Sequence, residues 1–435
     1  MTEETVLFAS AVDLSRHPMK YEKSKRREQY YLILEYFVKK QLDNKFTAAR
    51  LQQYRAKLQI KDQPAKADTK ITANIQSMIN SRVQPWRKKY RYWLMCDIAL
   101  IVMDGQLIDR AAEELTSYMT KRQQQKFAVL LRALKDDSAD VSALAFAEKM
   151  VEQYRKNRRF GEQILHRYIV TANMSAGKST LINALIGKPL ARTSQEVCTG
   201  NACYLYNKVF EDGRIHLEND TFTINAAHKE LSNFSWDRKT SIAAYFHTLE
   251  HTEKRLCIID TPGVNSAVNR NHGKISREAL STEAYEKAIY VLNANKLGTE
   301  EEIAHLRWVS ENVPKEKMIF VLNKLDDFKA ADDNIQDSIE GVKNDLAELG
   351  FERPLICPIS AYFALLIKMK AGGAQMTEDE QDEYALYLKK FMKPAYDLSK
   401  YYENIQTEAG DSEILSMSKK CGLYGLEKIL YGGTT

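Results

Sequence analysis

The chain has 435 residues, of which 44% are hydrophobic and 28% charged, a balance typical of a soluble globular protein with two or three domains. Its net charge of +5 is small for this length, so composition alone indicates neither a nucleic acid nor a membrane surface as a partner. The N-terminus lacks the basic segment and apolar core of a secretory signal, and no apolar run is long enough to span a bilayer. The 6 cysteines include no C-x-x-C pair, which favours free buried thiols in a reducing compartment. A cytoplasmic protein is therefore expected.

Residues 1–160 are predicted to form an all-helical domain, because no useful strand alternation interrupts them. Apolar residues recur at spacings of three and four from Lys23 to Lys61, which predicts one long amphipathic helix or two helices with a break near Asn44. The more apolar stretch from Trp86 to Met103 is expected to lie at the centre of the helical core. Asp104-Gly105 then predicts a turn before the next helix.

Three charged clusters in this region have alternative interpretations. The segment L-M-C-D-I-A-L-I-V-M-D-G-Q-L-I-D-R-A-A-E-E-L, within residues 93–115, resembles the helix–Asp-Gly–helix unit of TerB-like tellurite-resistance domains. Its acidic group could bind a cation, although a solvated turn is favoured: Asp104, Asp109 and Glu113. Two basic runs could meet the phosphates of lipid or nucleic acid, although solvated helix faces are favoured: Arg87, Lys88, Lys89 and Arg91, then Arg155, Lys156, Arg158 and Arg159.

The segment from Arg167 to Gly187 contains a strand, a short loop with Gly-Lys-Ser, and a helix, which together predict a phosphate-binding P-loop. Backbone N–H groups and the helix N-terminus are expected to receive the phosphates. Lys178 would reach the β- and γ-phosphates, and the Ser179 hydroxyl would ligate Mg2+. The glycine that usually opens this motif is replaced by Ala172, which requires a negative φ there. The residues predicted to surround the phosphates are Asn173, Met174, Ser175, Ala176, Gly177, Lys178, Ser179 and Thr180.

From His166 onward, short apolar runs alternate with helical segments, which predicts an α/β fold with a doubly wound, mostly parallel sheet. The predicted strands lie at 203–206, paired with 214–217, and at 256–259, 289–292, 318–322 and 356–359. A helical insertion is expected at about 362–417, with a capping box at Thr377, followed by a final short helix. The predicted domains are therefore an all-helical domain at 1–160 and an α/β domain at 161–435.

Three motifs follow the P-loop at the ends of predicted strands. In D-T-P-G, Asp260 can hold Mg2+ through water, and Gly263 can offer its N–H to the γ-phosphate. In N-K-L-D, Asp326 can accept the N1 and N2 hydrogens of guanine, a donor pair that adenine lacks. Asn323 would fix this loop and the stem of Lys324 would lie along the base. The last strand ends at Ser360-Ala361, which can present a backbone N–H to guanine O6.

A second Mg2+ ligand is expected in the loop after the P-loop helix. Thr193 and Thr199 both lie in this loop, and Thr199 is preferred because it stands in E-V-C-T-G immediately before a predicted strand. Its backbone N–H could also position the attacking water.

The segments M-S-A-G-K-S-T-L-I-N-A-L-I-G, E-V-C-T-G, D-T-P-G-V-N-S, Y-V-L-N-A and L-N-K-L-D resemble the dynamin superfamily, and bacterial dynamin-like GTPases in particular, over residues 166–431. The resemblance implies an extended GTPase domain in which Ser175 orients water and binds a monovalent cation. It also implies that two GTPase domains pair across the nucleotide. The polar residue that often precedes this serine is Met174 here. The long stalk of dynamins is not visible after the final helix, and two explanations stay open: the N-terminal helices take its place, or the gene is split or truncated.

These patterns predict a magnesium-dependent GTP hydrolase that acts as a dynamin-like switch or mechanochemical protein, with Ser175, Lys178, Thr199 and Gly263 in catalytic roles. A GTP-gated interaction module with little hydrolysis and a ribosome-associated GTPase are the alternatives. The expected partners are a second copy of the GTPase domain and a protein bound by the helical domain, and peripheral association with a membrane is left open.

Overall fold

The computed structural model describes residues 3–61, 71–79, 89–191, 201–219, 221–226, 231, 240–250, 253–264, 271–329, 333–405, 408 and 410–432. The chain divides into two compact units. The first contains residues 1–163 and 208–226, and the second contains residues 164–207 and 227–435. No helix within the described ranges is long and apolar enough to cross a membrane.

The first unit is built from helices arranged around one central helix. Its described helices are α1 (Glu3–Ala9), α2 (Ser24–Gln41), α3 (Lys45–Lys57), α4 (Ile71–Ile79), α5 (Tyr90–Val102), α6 (Gly105–Ser117), α7 (Lys121–Lys135) and α8 (Glu148–Glu162). Helix α5 is buried on nearly every side, as expected from its apolar sequence. The chain breaks at Asn44, whose side chain accepts the backbone N–H groups of Phe46 and Thr47 and so begins α3.

Polar side chains in this unit are used for internal contacts. The buried carboxylate of Asp97 accepts hydrogen bonds from Tyr30 and Tyr54 at 2.5 and 2.9 Å, and His17 Nε2 lies 3.0 Å from it. These three partners offset the cost of burying a carboxylate. Asp104 caps α6 through the N–H of Leu107.

The charged clusters of the helical region also have structural partners. Asp109 pairs with Lys135. Arg155 donates to the carbonyl groups of Ala133 and Asp136 at the end of α7, which satisfies groups that a helix C-terminus leaves free. Of the first basic run, Arg91 is buried and Lys89 lies over the ring of Phe146, whereas Arg87 and Lys88 lie outside the described residues.

Residues 208–226 belong to the helical unit although they follow a strand of the second unit. They form a short hairpin of β3 (His216–Glu218) and β4 (Phe222–Thr223). The ring of Phe222 lies 5.7 Å from that of Phe8 and 4.8 Å from that of Phe46. His216 Nδ1 lies 2.6 Å from the carbonyl oxygen of Phe8. The predicted boundary near residue 160 therefore omits a later segment that packs with the first helices.

The second unit contributes seven described strands to a mostly parallel sheet, which confirms the predicted fold class. Its strands are β1 (Leu165–Ala172), β2 (Cys203–Asn207), β5 (Thr240–Ala244), β6 (Arg255–Asp260), β7 (Lys287–Asn293), β8 (Met318–Asn323) and β9 (Ile356–Pro358). Their order is β5-β2-β6-β1-β7-β8-β9, with β2 antiparallel to β6 and the other neighbours parallel. The predicted pairing of 203–206 with 214–217 is wrong, because β2 pairs with β5 and β6.

Helices cover this sheet and fix where the motifs meet. They are α9 (Lys178–Ile186), α10 (Asn271–Thr282), α11 (Glu300–Asn312), α12 (Ile335–Glu348), α13 (Ala361–Ala371), α14 (Glu378–Phe391), α15 (Glu413–Lys420) and α16 (Leu423–Tyr431). The expected capping box at Thr377 begins α14. Because β1, β6, β8 and β9 are mutually parallel in direction, the motifs at their C-terminal ends lie along one edge of the sheet.

Candidate nucleotide-binding site

The P-loop has the backbone conformation that its sequence requires. Strand β1 ends at Ala172, which does not have a positive φ, so the alanine is tolerated at this position. Gly177 has a φ of +88°, and a Cβ there would come within 2.3 Å of Asn323 Nδ2. Only glycine therefore fits the position before α9. Ser175 also adopts a left-handed conformation, with a φ of 64°, and its side chain is exposed.

The D-T-P-G segment runs beside the P-loop. Val264 donates its N–H to the carbonyl of Ala172 at 3.1 Å, and Met174 donates to the carbonyl of Val264 at 3.2 Å. Lys178 Nζ forms an ion pair with the Asp260 carboxylate, with both side chains largely buried. The structure thus brings together the predicted phosphate-binding cation and the predicted magnesium-binding carboxylate.

The N-K-L-D loop is joined to both the P-loop and the end of β9. Asn323 Nδ2 donates to the carbonyl of Ala176 at 3.0 Å, and Asn323 Oδ1 accepts the N–H of Ala361 at 3.0 Å. Ser360 Oγ donates to Asp326 Oδ1 at 2.7 Å. Lys324 has a φ of 69°, a conformation that turns the chain sharply between Asn323 and Asp326. The five predicted base-reading positions therefore lie together.

Asp326 lies in an environment that disfavours its charge. Asp326 is 9% exposed, and burial raises the pKa of its carboxyl above its usual value. The Ser360 hydroxyl and the charge of Lys390 act in the opposite direction. Buried carboxylates of this kind select ligands that supply matching donors, because an unpaired charge here is costly.

Two residues missed at the sequence level support these loops. Lys390, on α14, donates to the carbonyl groups of Asp326 and Phe328, both at 2.5 Å. Asn293, at the end of β7, donates to the carbonyl of Ser175 at 3.3 Å. Lys390 belongs to none of the predicted motifs, and Asn293 lies in Y-V-L-N-A, a segment to which the sequence analysis assigned no role at the site. The apolar strand before Asn293 is the signal that could have placed it at the site edge.

The donor set fits a hard divalent cation. The Ser179 hydroxyl and the Asp260 carboxylate offer oxygen atoms, the kind of ligand that Mg2+ prefers together with phosphate oxygens. Thr193 and Thr199, the two candidates for a further ligand, lie outside the described residues. Gly263 is described and lies beside the backbone of Met174, with 3.8 Å between a Cβ built on the glycine and Met174 Cα. Thr180 lies in the first turn of α9 and is half-buried.

The fold and the four converging motifs define a nucleotide-binding domain of the P-loop GTPase class. A model of the dynamin family matches residues 169–325. The chain is 26% identical over 215 residues to the FZO-like chloroplastic transmembrane GTPase of Arabidopsis thaliana, an alignment covering 48% of this chain and 21% of that protein. Residues 169–325 therefore form a GTPase domain similar to those of the dynamin family. It spans about a fifth of the length of this curated relative.

Solved structures include similar chains. One, from a study of an oligomerised bacterial dynamin pair in the sensing and tethering of membranes, is 14% identical and has a TM-score of 0.37, covering 86% of this chain and 58% of its own. Another is a variant of Era from Aquifex aeolicus bound to GDP and aluminium fluoride, 17% identical, with a TM-score of 0.28. It covers 49% of this chain and 58% of its own.

Proposed function

We propose that this chain binds GTP with Mg2+ and hydrolyses it to GDP and phosphate. The observation that carries the proposal is the set of hydrogen bonds through which Asn323 joins the P-loop at Ala176 to the end of β9 at Ala361, with Ser360 holding Asp326. This arrangement couples a guanine-reading carboxylate to a phosphate-binding loop. A protein that reads the base and the phosphates through one connected frame is suited to distinguish GTP from ATP.

The residues of the site have distinct roles in the proposed reaction. Lys178 stabilises the charge that develops on the phosphate oxygens as water attacks the γ-phosphorus and the bond to the leaving GDP oxygen breaks. Ser175 and the backbone of Thr199 orient the attacking water. When bound, Mg2+ neutralises phosphate charge, with Ser179, Thr199 and, through water, Asp260 as its protein ligands.

We also propose that pairing of two GTPase domains activates hydrolysis, as the dynamin resemblance implies. Val264 follows Gly263, where Ras-like proteins keep a water-orienting glutamine, so the described part of the site offers no such side chain at this position. Ser175 and Met174 are exposed at the surface of the P-loop. A second domain placed across this surface would hold the water-orienting groups still.

The test of binding is competition between GTP and ATP for the wild-type protein in the presence of Mg2+. GTP should bind far more tightly. Equal affinity for the two nucleotides would overturn the guanine assignment.

The test of activation is the turnover per molecule measured from nanomolar to tens of micromolar protein. Turnover should rise with concentration, and GDP with aluminium fluoride, but not GDP alone, should shift the light-scattering mass toward a dimer. A constant and substantial turnover from a species that stays monomeric contradicts activation by pairing. Tight GTP binding without turnover at any concentration favours the GTP-gated interaction module instead.

A further inference from the structure

Two asparagines at matched positions of neighbouring strands hold consecutive carbonyl groups of the P-loop. Asn293 ends β7 and Asn323 ends β8, and the two are register partners in the parallel pair. Asn323 Nδ2 donates to the carbonyl of Ala176 at 3.0 Å, and Asn293 Nδ2 donates to the carbonyl of Ser175 at 3.3 Å. Asn323 belongs to the base-reading motif, whereas Asn293 lies in Y-V-L-N-A, a segment for which the sequence predicts no contact with the nucleotide.

The orientation of the Asn293 amide is fixed by its other atom. Asn293 Oδ1 accepts the backbone N–H of Asn295 at 3.0 Å, within the turn that follows β7. Because a backbone N–H can only donate, the oxygen of the amide must face Asn295 and the NH2 group must face Ser175. Asn293 is only 5% exposed, so its amide is held in this orientation by the surrounding structure.

Ser175 needs such support because its backbone conformation is unfavourable. Its φ of 64° lies in the left-handed region, which costs a residue with a Cβ about 1–2 kcal/mol. Its side chain is exposed, so packing of that side chain does not hold the residue in place. The carbonyl bond from Asn293 therefore constrains the peptide from which the Ser175 side chain projects.

We propose that Asn293 is a positioning residue for GTP hydrolysis, acting through the Ser175 carbonyl to aim the Ser175 hydroxyl at the attacking water. This inference rests on the proposed function, in which Ser175 acts in the transition state. It assigns separate tasks to the two strand ends. Asn323 supports the loop for nucleotide binding, and Asn293 supports the step in which the bond to phosphate breaks.

The separation of tasks predicts a split between turnover and affinity. In Asn293→Ala, Asn323 still holds Ala176, and Lys178 remains at the start of α9, so the affinity for a non-hydrolysable GTP analogue should stay within about twofold. The kcat should fall about tenfold, the rate equivalent of about 1.4 kcal/mol, which is the net worth of one good hydrogen bond. Asn295→Ala is the matched control, because this exposed neighbour contacts Asp327 rather than the P-loop, and its kcat should stay within about twofold of wild type.

Two further variants separate positioning from general damage. Asn293→Asp keeps the oxygen that accepts from Asn295 but loses the donor to Ser175, so its kcat should fall at least as far as that of Asn293→Ala. In a double-mutant cycle, Asn293→Ala should cost little in a Ser175→Ala background, since its effect passes through Ser175. Full additivity of the two losses would show that Asn293 acts elsewhere and would overturn the proposal, as would an unchanged kcat in Asn293→Ala.

A readout that needs no hydrolysis keeps this inference distinct from the proposed function. In the GDP-bound protein, hydrogen exchange of a peptide covering 172–178 should be faster in Asn293→Ala and unchanged in Asn295→Ala. If the wild-type protein does not hydrolyse GTP, the proposed function fails. In that case, faster exchange in Asn293→Ala still supports the conclusion that Asn293 constrains the P-loop backbone at Ser175. Unchanged exchange overturns that conclusion.

Discussion

The ion pair between Lys178 and Asp260 joins the two side chains that the phosphates and Mg2+ are expected to engage. Lys178→Ala should weaken GTP binding by about 10- to 100-fold, because a charge-assisted hydrogen bond is worth about 1.5–3 kcal/mol. Binding of a fluorescent GTP analogue measures the loss, with Lys296→Ala, at an exposed lysine, as a control. A folded Lys178→Ala protein with wild-type affinity would contradict the P-loop assignment.

We expect Asp326 to control the choice of base at the proposed site. Asp326→Asn replaces a pair of acceptors for guanine by an amide, so preference should shift toward xanthine nucleotides, which carry a carbonyl at that edge. The discrimination between GTP and XTP should fall about tenfold or more, in line with about 1–3 kcal/mol for leaving a buried polar group unpaired. Competition binding with GTP, ATP and XTP measures the shift, and an unchanged order of affinities would rule out this role.

The raised pKa of the Asp326 carboxyl gives the same residue a pH dependence. The carboxylate must be ionised to accept two guanine N–H groups, and protonation removes that capacity. Because burial raises the folded-state pKa, GTP affinity should begin to fall on acidification at a higher pH than for an ordinary aspartate. XTP binding to Asp326→Asn should lack this pH dependence. Identical pH profiles for GTP binding to the wild type and XTP binding to Asp326→Asn would contradict the assignment of the pH dependence to Asp326.

Motif spacing was sufficient to predict which motif residues meet at one edge of the sheet, but not which residues support their loops. Lys178, Asp260 and Asp326 stand in short patterns whose chemistry is local, and the structure brings them to one edge. Asn293 and Lys390 act on carbonyl groups far away in sequence. Their role depends on strand register and helix placement, which no local pattern encodes.

Helix α14 supports the N-K-L-D loop from outside the sheet. Lys390 donates to the carbonyl groups of Asp326 and Phe328, and the Tyr396 hydroxyl donates to Phe328 at 3.2 Å. Lys390→Met should therefore loosen this loop and lower GTP affinity about tenfold, with little change in kcat at saturating GTP. Lys389→Met, the exposed neighbour on the same helix, is the matched control. Equal GTP affinities of Lys390→Met and Lys389→Met would show that Lys390 does not support this loop.

Strands were predictable where burial on both faces gives continuous apolar runs, as in β1, β7 and β8. The five residues of β5, T-S-I-A-A, carry too weak a pattern and were missed. The partner of β2 was also mispredicted, since sequence neighbours need not be sheet neighbours. The local sequence pattern was therefore sufficient to predict most strands, whereas which strands pair was known only from the structure.

At the scale of the whole molecule, the helical unit depends on a segment encoded within the α/β region. Phe8 is 2% exposed and contacts the rings of Phe46 and Phe222. Phe8→Ala should destabilise the helical unit by about 3–5 kcal/mol, the usual cost of emptying a buried aromatic site. Thermal unfolding followed by circular dichroism measures this loss of stability. Tyr21→Ala is the control, because Tyr21 is 77% exposed. A transition shared by both variants and wild type would contradict this dependence.

The interleaving of the two units also bears on how the chain folds during synthesis. The helical unit lacks its last segment until residue 226 has been made, about 60 residues after α8 is complete. At about 5–20 residues per second, this is a wait of roughly 3–12 s on the ribosome. During that interval the helices around Phe8 carry an unfilled apolar surface, and β1, α9 and β2 have emerged before their unit is complete. The nascent chain thus passes through a stage in which neither unit is complete. We expect a chaperone that binds exposed apolar surface to assist folding most at this stage.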